Sequence, residues 1–229
     1  MSDISSWVYS IATWLAPLVI AIVFHEVAHG RVAKHFGDMT ASNAGRLSFN
    51  PIRHIDPVGT VALPMILALS GAPVFGWAKP VPVNFMRLRK PRLHMMLVAL
   101  AGPMMNMLLA MVALLAMAGM IMAFRGTAHQ GAIGFILSNL GNFLTLNVML
   151  AVFNMLPLPP FDGGHVMEGL LPRSLARHYG RLRQYGMLIP ILLIIVVPMA
   201  TGTNPLASII IPPVQAILGL FNQLLTQFI

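Results

Sequence analysis

From Leu93 to Phe124 the chain runs without a single Asp, Glu, Lys or Arg. A helix needs only about 20 residues to cross the hydrocarbon of a bilayer. An apolar stretch of this length leaves no polar face for water, so it commits the chain to a membrane. Other apolar stretches agree: Trp7–Phe24 running on into HEVAHG, Ile133–Phe153, residues 184–200, where Pro190 and Pro198 predict kinks, and residues 206–229. Gln215, Asn222, Gln223, Thr226 and Gln227 give the last of these an interfacial character toward its end. The chain is 57% hydrophobic and 9% charged, with a mean hydropathy of +0.80, whereas a soluble domain is about a quarter charged. Its 18 Met and 19 Gly suit closely packed membrane helices.

The expected fold is therefore an all-α polytopic membrane protein with five to six transmembrane helices, a single domain over residues 1–229. The start, MSDISSW, has no basic region and no small-residue cleavage site follows, so the first helix reads as retained rather than as a signal peptide. Ser5 or Ser6 is its expected cap and Gly30 its expected end. Residues 37–56 mix Gly, Asn and Pro with short alternations, and FGWAKPVPVNF at 75–85 must be extended, so short membrane-associated β segments are expected, at 45–50 and 79–84. Residues 58–69 are apolar but short and contain Pro64, which favours a shallow or re-entrant segment.

The net charge of +8 does not point to nucleic acid. Every Lys and Arg but Arg125 falls in one of three intervals: Arg31 to Arg53, Lys79 to Arg92, and Arg173 to Arg183. Basic clusters flanking apolar segments mark cytoplasmic loops beside an anionic leaflet. There is no cysteine, which excludes disulfides and thiolate ligands, so any metal must be held by His, Asp or Glu.

HEVAHG ends the first apolar run. Residues four apart share a helix face, so His25 and His29 can direct their imidazoles at one ion with Glu26 beside them. This is the HExxH arrangement, in which two histidines bind zinc and the glutamate serves as general base. Each ionisable group within a membrane helix costs about 2.5–3.5 kcal/mol on insertion scales, and a metal compensates all three at once. A catalytic zinc normally takes three protein ligands and leaves one position open. The candidates are six acids, Asp3, Glu26, Asp38, Asp56, Asp162 and Glu168. Asp162 lies in NMLPLPPFDGG, where Pro157, Pro159 and Pro160 break the preceding helix and Gly163 and Gly164 allow close approach of backbone. A broken helix at membrane depth lines a buried or watery cavity, which makes Asp162 the third ligand.

With these residues in place the sequence resembles the site-2 proteases, a family of intramembrane zinc metalloproteases. HEVAHG matches the family's first element and NMLPLPPFDGG its second, and AGPMMN, GRLSFNPIRHIDPVGT and GWAKPVPVN resemble further segments of its compact bacterial branch. The resemblance covers roughly residues 20–170, leaving 184–229 as C-terminal helices, and no counterpart of the family's PDZ module is present. It implies one zinc ion per chain on His25, His29 and Asp162, with Glu26 activating water. It gives Asn154 a role in orienting substrate or stabilising the oxyanion. The implied partners are transmembrane protein substrates and the lipid bilayer of the cytoplasmic membrane.

Topology supports the pairing of the two motifs. If residues 58–69 crossed the membrane fully, Asp162 would emerge opposite His25. A shallow segment puts both on one side, together with all three basic intervals, so the amino terminus is expected outside and the active site toward the cytoplasm. Asn106 in AGPMMN is a candidate for substrate or oxyanion support, or for packing between helices; His54 and His165 are candidates for contacts near the site or for structural hydrogen bonds. An alternative function is a zinc or proton transporter using His25, Glu26, His29 and Asp162, but that predicts paired broken helices in an inverted repeat, which the sequence lacks. A silent scaffold for membrane segments would have no need of Glu26.

Overall fold

The computed structural model describes residues 2–70, 76–125 and 131–227. The first helix, α1 (Ser2–His35), leads through the short α2 (Thr40–Asn43) and a 3-10 turn at Pro51–His54 to a π-helical Pro57–Ala62 and α3 (Leu63–Ser70). An irregular stretch follows, and then α4 (Pro91–Ala123) and α5 (Gly131–Asn154). Pro91 begins α4, where its fixed φ suits a helix and its missing N–H is no loss. Beyond α5 come α6 (Asp162–Leu170) and α7 (Arg173–Gly180), then α8 (Leu188–Ile191), a π-helical Leu192–Val196, α9 (Val197–Thr201) and α10 (Pro205–Thr226).

By length and composition, four of these helices can cross a membrane: Ala12–His35 of α1, α4, α5 and α10. A fifth span is available if Arg173–Tyr185 and Leu188–Thr201, bent by 67°, count as one. The expectation of five to six is thus high by about one. Residues Pro57–Leu67 form an apolar helix too short to cross, in keeping with a shallow segment. The sharp bend after Tyr185 comes at Gly186, with φ of 42°, while Pro198 follows the π-helical turns that relieve its missing backbone donor.

The expected β segments do not form: among the described residues there is no strand. In residues 79–84, Pro80 and Pro82 remove alternate donors, and those of Lys79, Val81 and Asn84 are spent elsewhere. Lys79 N–H donates to His54 O, Val81 N–H to a carboxylate oxygen of Glu26 and Asn84 N–H to one of Asp38. Arg46 completes the hold by donating to Lys79 O at 2.7 Å. The segment is extended, but it is a strap tied down by side chains. Phe75, at its start, and residues 228–229, at the end of the last apolar stretch, lie outside the described residues.

Two expected helix boundaries also move. α1 already runs from Ser2, so neither Ser5 nor Ser6 starts it. It continues through Gly30 to His35 and closes at Gly37, which takes a φ of 105°. Gly30 serves packing instead: a Cβ there would collide with Leu47 and come within 2.8 Å of Val81 Cγ1.

α4 packs against both α1 and α5 and is the centre of the bundle. Ala110, Ala113 and Leu114 of α4 form a buried core with Leu144 and Val148 of α5 and Leu206, Ile210 and Val214 of α10. Buried polar groups join α1, α4 and α5. Asn106 and Asn147 have no exposed surface; Asn106 Nδ2 donates to Ala21 O at 3.3 Å and Asn147 Oδ1 at 2.8 Å, and Asn147 Nδ2 donates to Phe143 O. Hydrogen bonds of this kind fix the register of helices whose apolar surfaces lipid would solvate equally well. Leu15, Met104, Leu108 and Leu115 remain largely exposed, as lipid-facing side chains.

Candidate metal and catalytic site

His25 and His29 lie one turn apart on α1, inside the bundle, with their Nε2 atoms 3.0 Å from each other. Asp162, the first residue of α6, brings its Oδ2 to 3.2 Å from His25 Nε2 and 3.3 Å from His29 Nε2. Gly163 makes the approach possible, because a Cβ there would overlap the backbone carbonyls of Met155 and Leu156 at the end of the preceding turn. The three sequence candidates, separated by more than a hundred residues of chain, form one triangle that could hold a metal ion.

The hydrogen-bond partners behind the triangle set its chemistry. His29 Nδ1 lies 2.7 Å from Val98 O, which can only accept, so this nitrogen carries a proton. His25 Nδ1 lies 2.5 Å from Asn106 Oδ1. Asn106 has given its amide hydrogens to Ala21 O and Asn147 Oδ1, so its oxygen is the atom turned to His25 and again the histidine donates. In the neutral rings both Nε2 atoms are therefore bare, and they face a buried Asp162 Oδ2 that itself has no hydrogen-bond donor. Three lone pairs meet at 3.0–3.3 Å. A single added proton can lie along only one edge of the triangle, whereas one divalent cation bound by all three atoms would satisfy them together. Tetrahedral bonds of about 2.0 Å imply ligand atoms about 3.3 Å apart, so the residues present fit such an ion.

Glu26 sits beside the triangle. Its Oε2 accepts the Val81 N–H at 2.7 Å, which ties the carboxylate to the strap. His25, Glu26, His29 and Asp162 share a cavity of about 400 Å³ with Pro80, Val81, Asn154 and His165. Asn154, at the end of α5, donates through Nδ2 to Leu150 O. His165 follows Asp162 on α6 and accepts at Nδ1 from Arg183. Burial first and the Arg183 guanidinium second push its imidazole down to about 4, although Asp162 opposes the shift, so it is neutral near pH 7.

Not every candidate reaches the cavity. Asn106 lies behind His25, fully buried, and touches the site only through that imidazole. His54 is buried in the loop before α3 with Nε2 donating to Ser48 O at 2.8 Å. Two contributors were not singled out from the sequence. A Cβ at Gly102 would lie 2.5 Å from His25 Cε1 and 2.6 Å from its Nε2, so this glycine lets α4 pass against the imidazoles. Its signal was its place in AGPMMN, one turn before Asn106 on the same face. Val81 gave no signal beyond the alternate prolines around it.

Comparison with known proteins gives the family. Residues 113–197, which include Asp162, match the model of peptidase family M50. YwhC of Bacillus subtilis, named as a zinc metalloprotease, is 35% identical over 90% of this chain and 89% of its own length. Rip2 of Mycolicibacterium smegmatis, with the same description, is 31% identical over 85% of this chain and 70% of its length. Rip2 of Mycobacterium tuberculosis H37Rv is 30% identical over 86% and 70%. No solved structure matches significantly. Similarity over 70–89% of the length of such relatives favours hydrolysis over ion transport, and with the paired HEVAHG and NMLPLPPFDGG motifs it means that the chain belongs to peptidase family M50, the site-2 proteases, as an intramembrane metalloprotease.

Proposed function

We propose that this metalloprotease is a zinc endopeptidase that cuts peptide bonds in or near transmembrane segments, with His25, His29 and Asp162 holding one zinc ion per chain and Glu26 as general base. The observation that carries the reading is the triangle of two bare imidazole nitrogens and one donorless carboxylate oxygen. When bound, zinc supplies a Lewis acid that polarises the scissile carbonyl and acidifies water. The rest falls to the chain's own groups. Glu26, oriented by the Val81 N–H, takes a proton from the attacking water and returns it to the leaving amine. Asn154, which keeps one amide hydrogen and Oδ1 for other partners, holds the substrate backbone in the cavity.

A substrate helix hides its carbonyls in internal hydrogen bonds, so it must unwind before attack. With its N–H groups at 79, 81 and 84 already bonded, the extended strap at 79–84 lines the cavity and has carbonyls left to accept from the unwound stretch. The protein would reside in the cytoplasmic membrane with its site toward the cytoplasm, because the basic clusters gather at the site's end of the bundle: Arg31 and Lys34 ending α1, Arg92 beginning α4, and Arg173 to Arg183 following α6. The test is cleavage of a single-span substrate by the purified, zinc-loaded protein. Glu26→Gln is expected to abolish cleavage while zinc stays bound; undiminished proteolysis would contradict the mechanism.

A further inference from the structure

A second cavity, of about 560 Å³, opens beside the first and shares Phe85, Met95, His165 and Arg183 with it. Its other walls carry Arg92, Arg173 and Arg177, so four guanidinium groups surround one space against a single acid, Glu168. The chain has 14 Lys and Arg to six acids, and the acids whose side chains the structure describes are already committed. Glu168 pairs with Arg183. Asp162 faces the two histidines, and Glu26 accepts from Val81. Asp38 accepts from Thr40 and Asn84, and Asp56 from Val58 and Gly59. Arg92 is turned inward, donating to the carbonyls of Glu168 and Leu171 at the end of α6. Arg173 and Arg177, both exposed on α7, have no ion-pair partner among the described residues.

A topological role needs basic residues on one side of the membrane; it does not need four of them around one cavity that opens onto the catalytic one. We propose that this cavity is a specificity subsite that binds an acidic side chain of the substrate, Asp or Glu, in the residues flanking the scissile bond. Arg173 and Arg177 supply the unpaired guanidinium groups, which suit a carboxylate because their planar donors can engage both oxygens. The shared walls mean that a chain lying in the metal cavity has its next residues in the basic one. The inference rests on the proteolytic reading of the adjoining site.

The test uses the full chain, zinc-loaded, in an uncharged detergent. The probes are single-span Leu/Ala peptides with a Ser/Gly tail, in which one Asp is walked through the tail, and a matched Asn set. Cleavage is followed as kcat/KM, and binding of the same peptides to Glu26→Gln protein by fluorescence anisotropy. At one or two adjacent tail positions Asp should be preferred over Asn by about tenfold in both measurements, as expected for a charge-assisted contact. Arg173→Gln and Arg177→Gln should each reduce that ratio severalfold, and Arg177→Glu should turn the preference toward Lys. Equal binding of the Asp and Asn peptides at every position would overturn the proposal. So would Arg variants that weaken both sets equally, or Arg173- and Arg177-dependent binding of phosphatidylglycerol vesicles in place of the peptides. If Asp is preferred in binding but no peptide is cut, the subsite stands and the proteolytic reading fails; if peptides are cut without preference, the subsite alone fails.

Discussion

His25 Nδ1 donates to Asn106 Oδ1 across 2.5 Å, joining α1 to α4 at a point with no access to solvent. The contact fixes the tautomer of a proposed metal ligand, and Asn106 is itself fixed by Ala21 O and Asn147. Loss of such an outer partner typically costs 10–100-fold in metal affinity or activity. Asn106→Leu should therefore weaken zinc binding by about that factor while the ligands remain in place, as read by competition with a chromogenic chelator.

Gly102 yields a steric prediction. Gly102→Ala would press a methyl group into His25 and His29, whereas Gly119→Ala, on the same helix, meets nothing within 4 Å. The first should lower both zinc retention and cleavage by about two orders of magnitude, equivalent to about 2.7 kcal/mol. The second should leave both unchanged and stabilise the helix slightly.

The strap can be tested without touching a ligand. Val81→Pro removes the N–H that orients Glu26 and keeps the residue extended between Pro80 and Pro82. Zinc content should stay the same and kcat should fall about tenfold or more, as expected when a general base is misplaced. A fall in zinc content alongside kcat would mean that the strap supports the ligands instead.

Asp38 makes the strap's stability depend on pH. Burial raises the carboxyl's pKa, but the Thr40 hydroxyl, the N–H groups of Asn84 and Thr40, and Arg87 outweigh it, and the net shift is downward. A group whose pKa is lower in the folded state stabilises the fold above its unfolded value, near 3.8, and loses that contribution as pH falls through the folded value. Asp38→Asn should thus lower stability at pH 7, by about 1–3 kcal/mol for buried bonds to a charged group. The variant should close the gap to wild type as pH drops below about 4. Thermal unfolding in detergent across that range checks both.

The long helices and the outline of the site were legible because each signal is local or additive. Hydropathy accumulates over 20 residues, which suffices for α4 and α5, and the four-residue spacing of His25 and His29 survives in any helix. Asp162 could be paired with them because only six acids were available. The strap was misread because alternation at 79–84 specifies an extended backbone without specifying a partner. Its donors go to Glu26, Asp38 and His54, from distant parts of the chain. Gly30 was misread for a related reason: a glycine that ends a helix and one that admits a neighbour look alike until Leu47 and Val81 are seen against it. Gly102, likewise, acquires its meaning only when α4 lies against α1.

The account turns on the triangle of His25, His29 and Asp162. Zinc K-edge X-ray absorption on the purified, zinc-loaded protein tests it most directly. The prediction is one zinc per chain with two imidazole nitrogens at about 2.0–2.1 Å and a carboxylate oxygen in its first shell. Asp162→Ala should remove that oxygen, and Glu26→Gln should leave the spectrum unchanged. A wild-type shell that persists in Asp162→Ala, or one that is lost in Glu26→Gln, would contradict it.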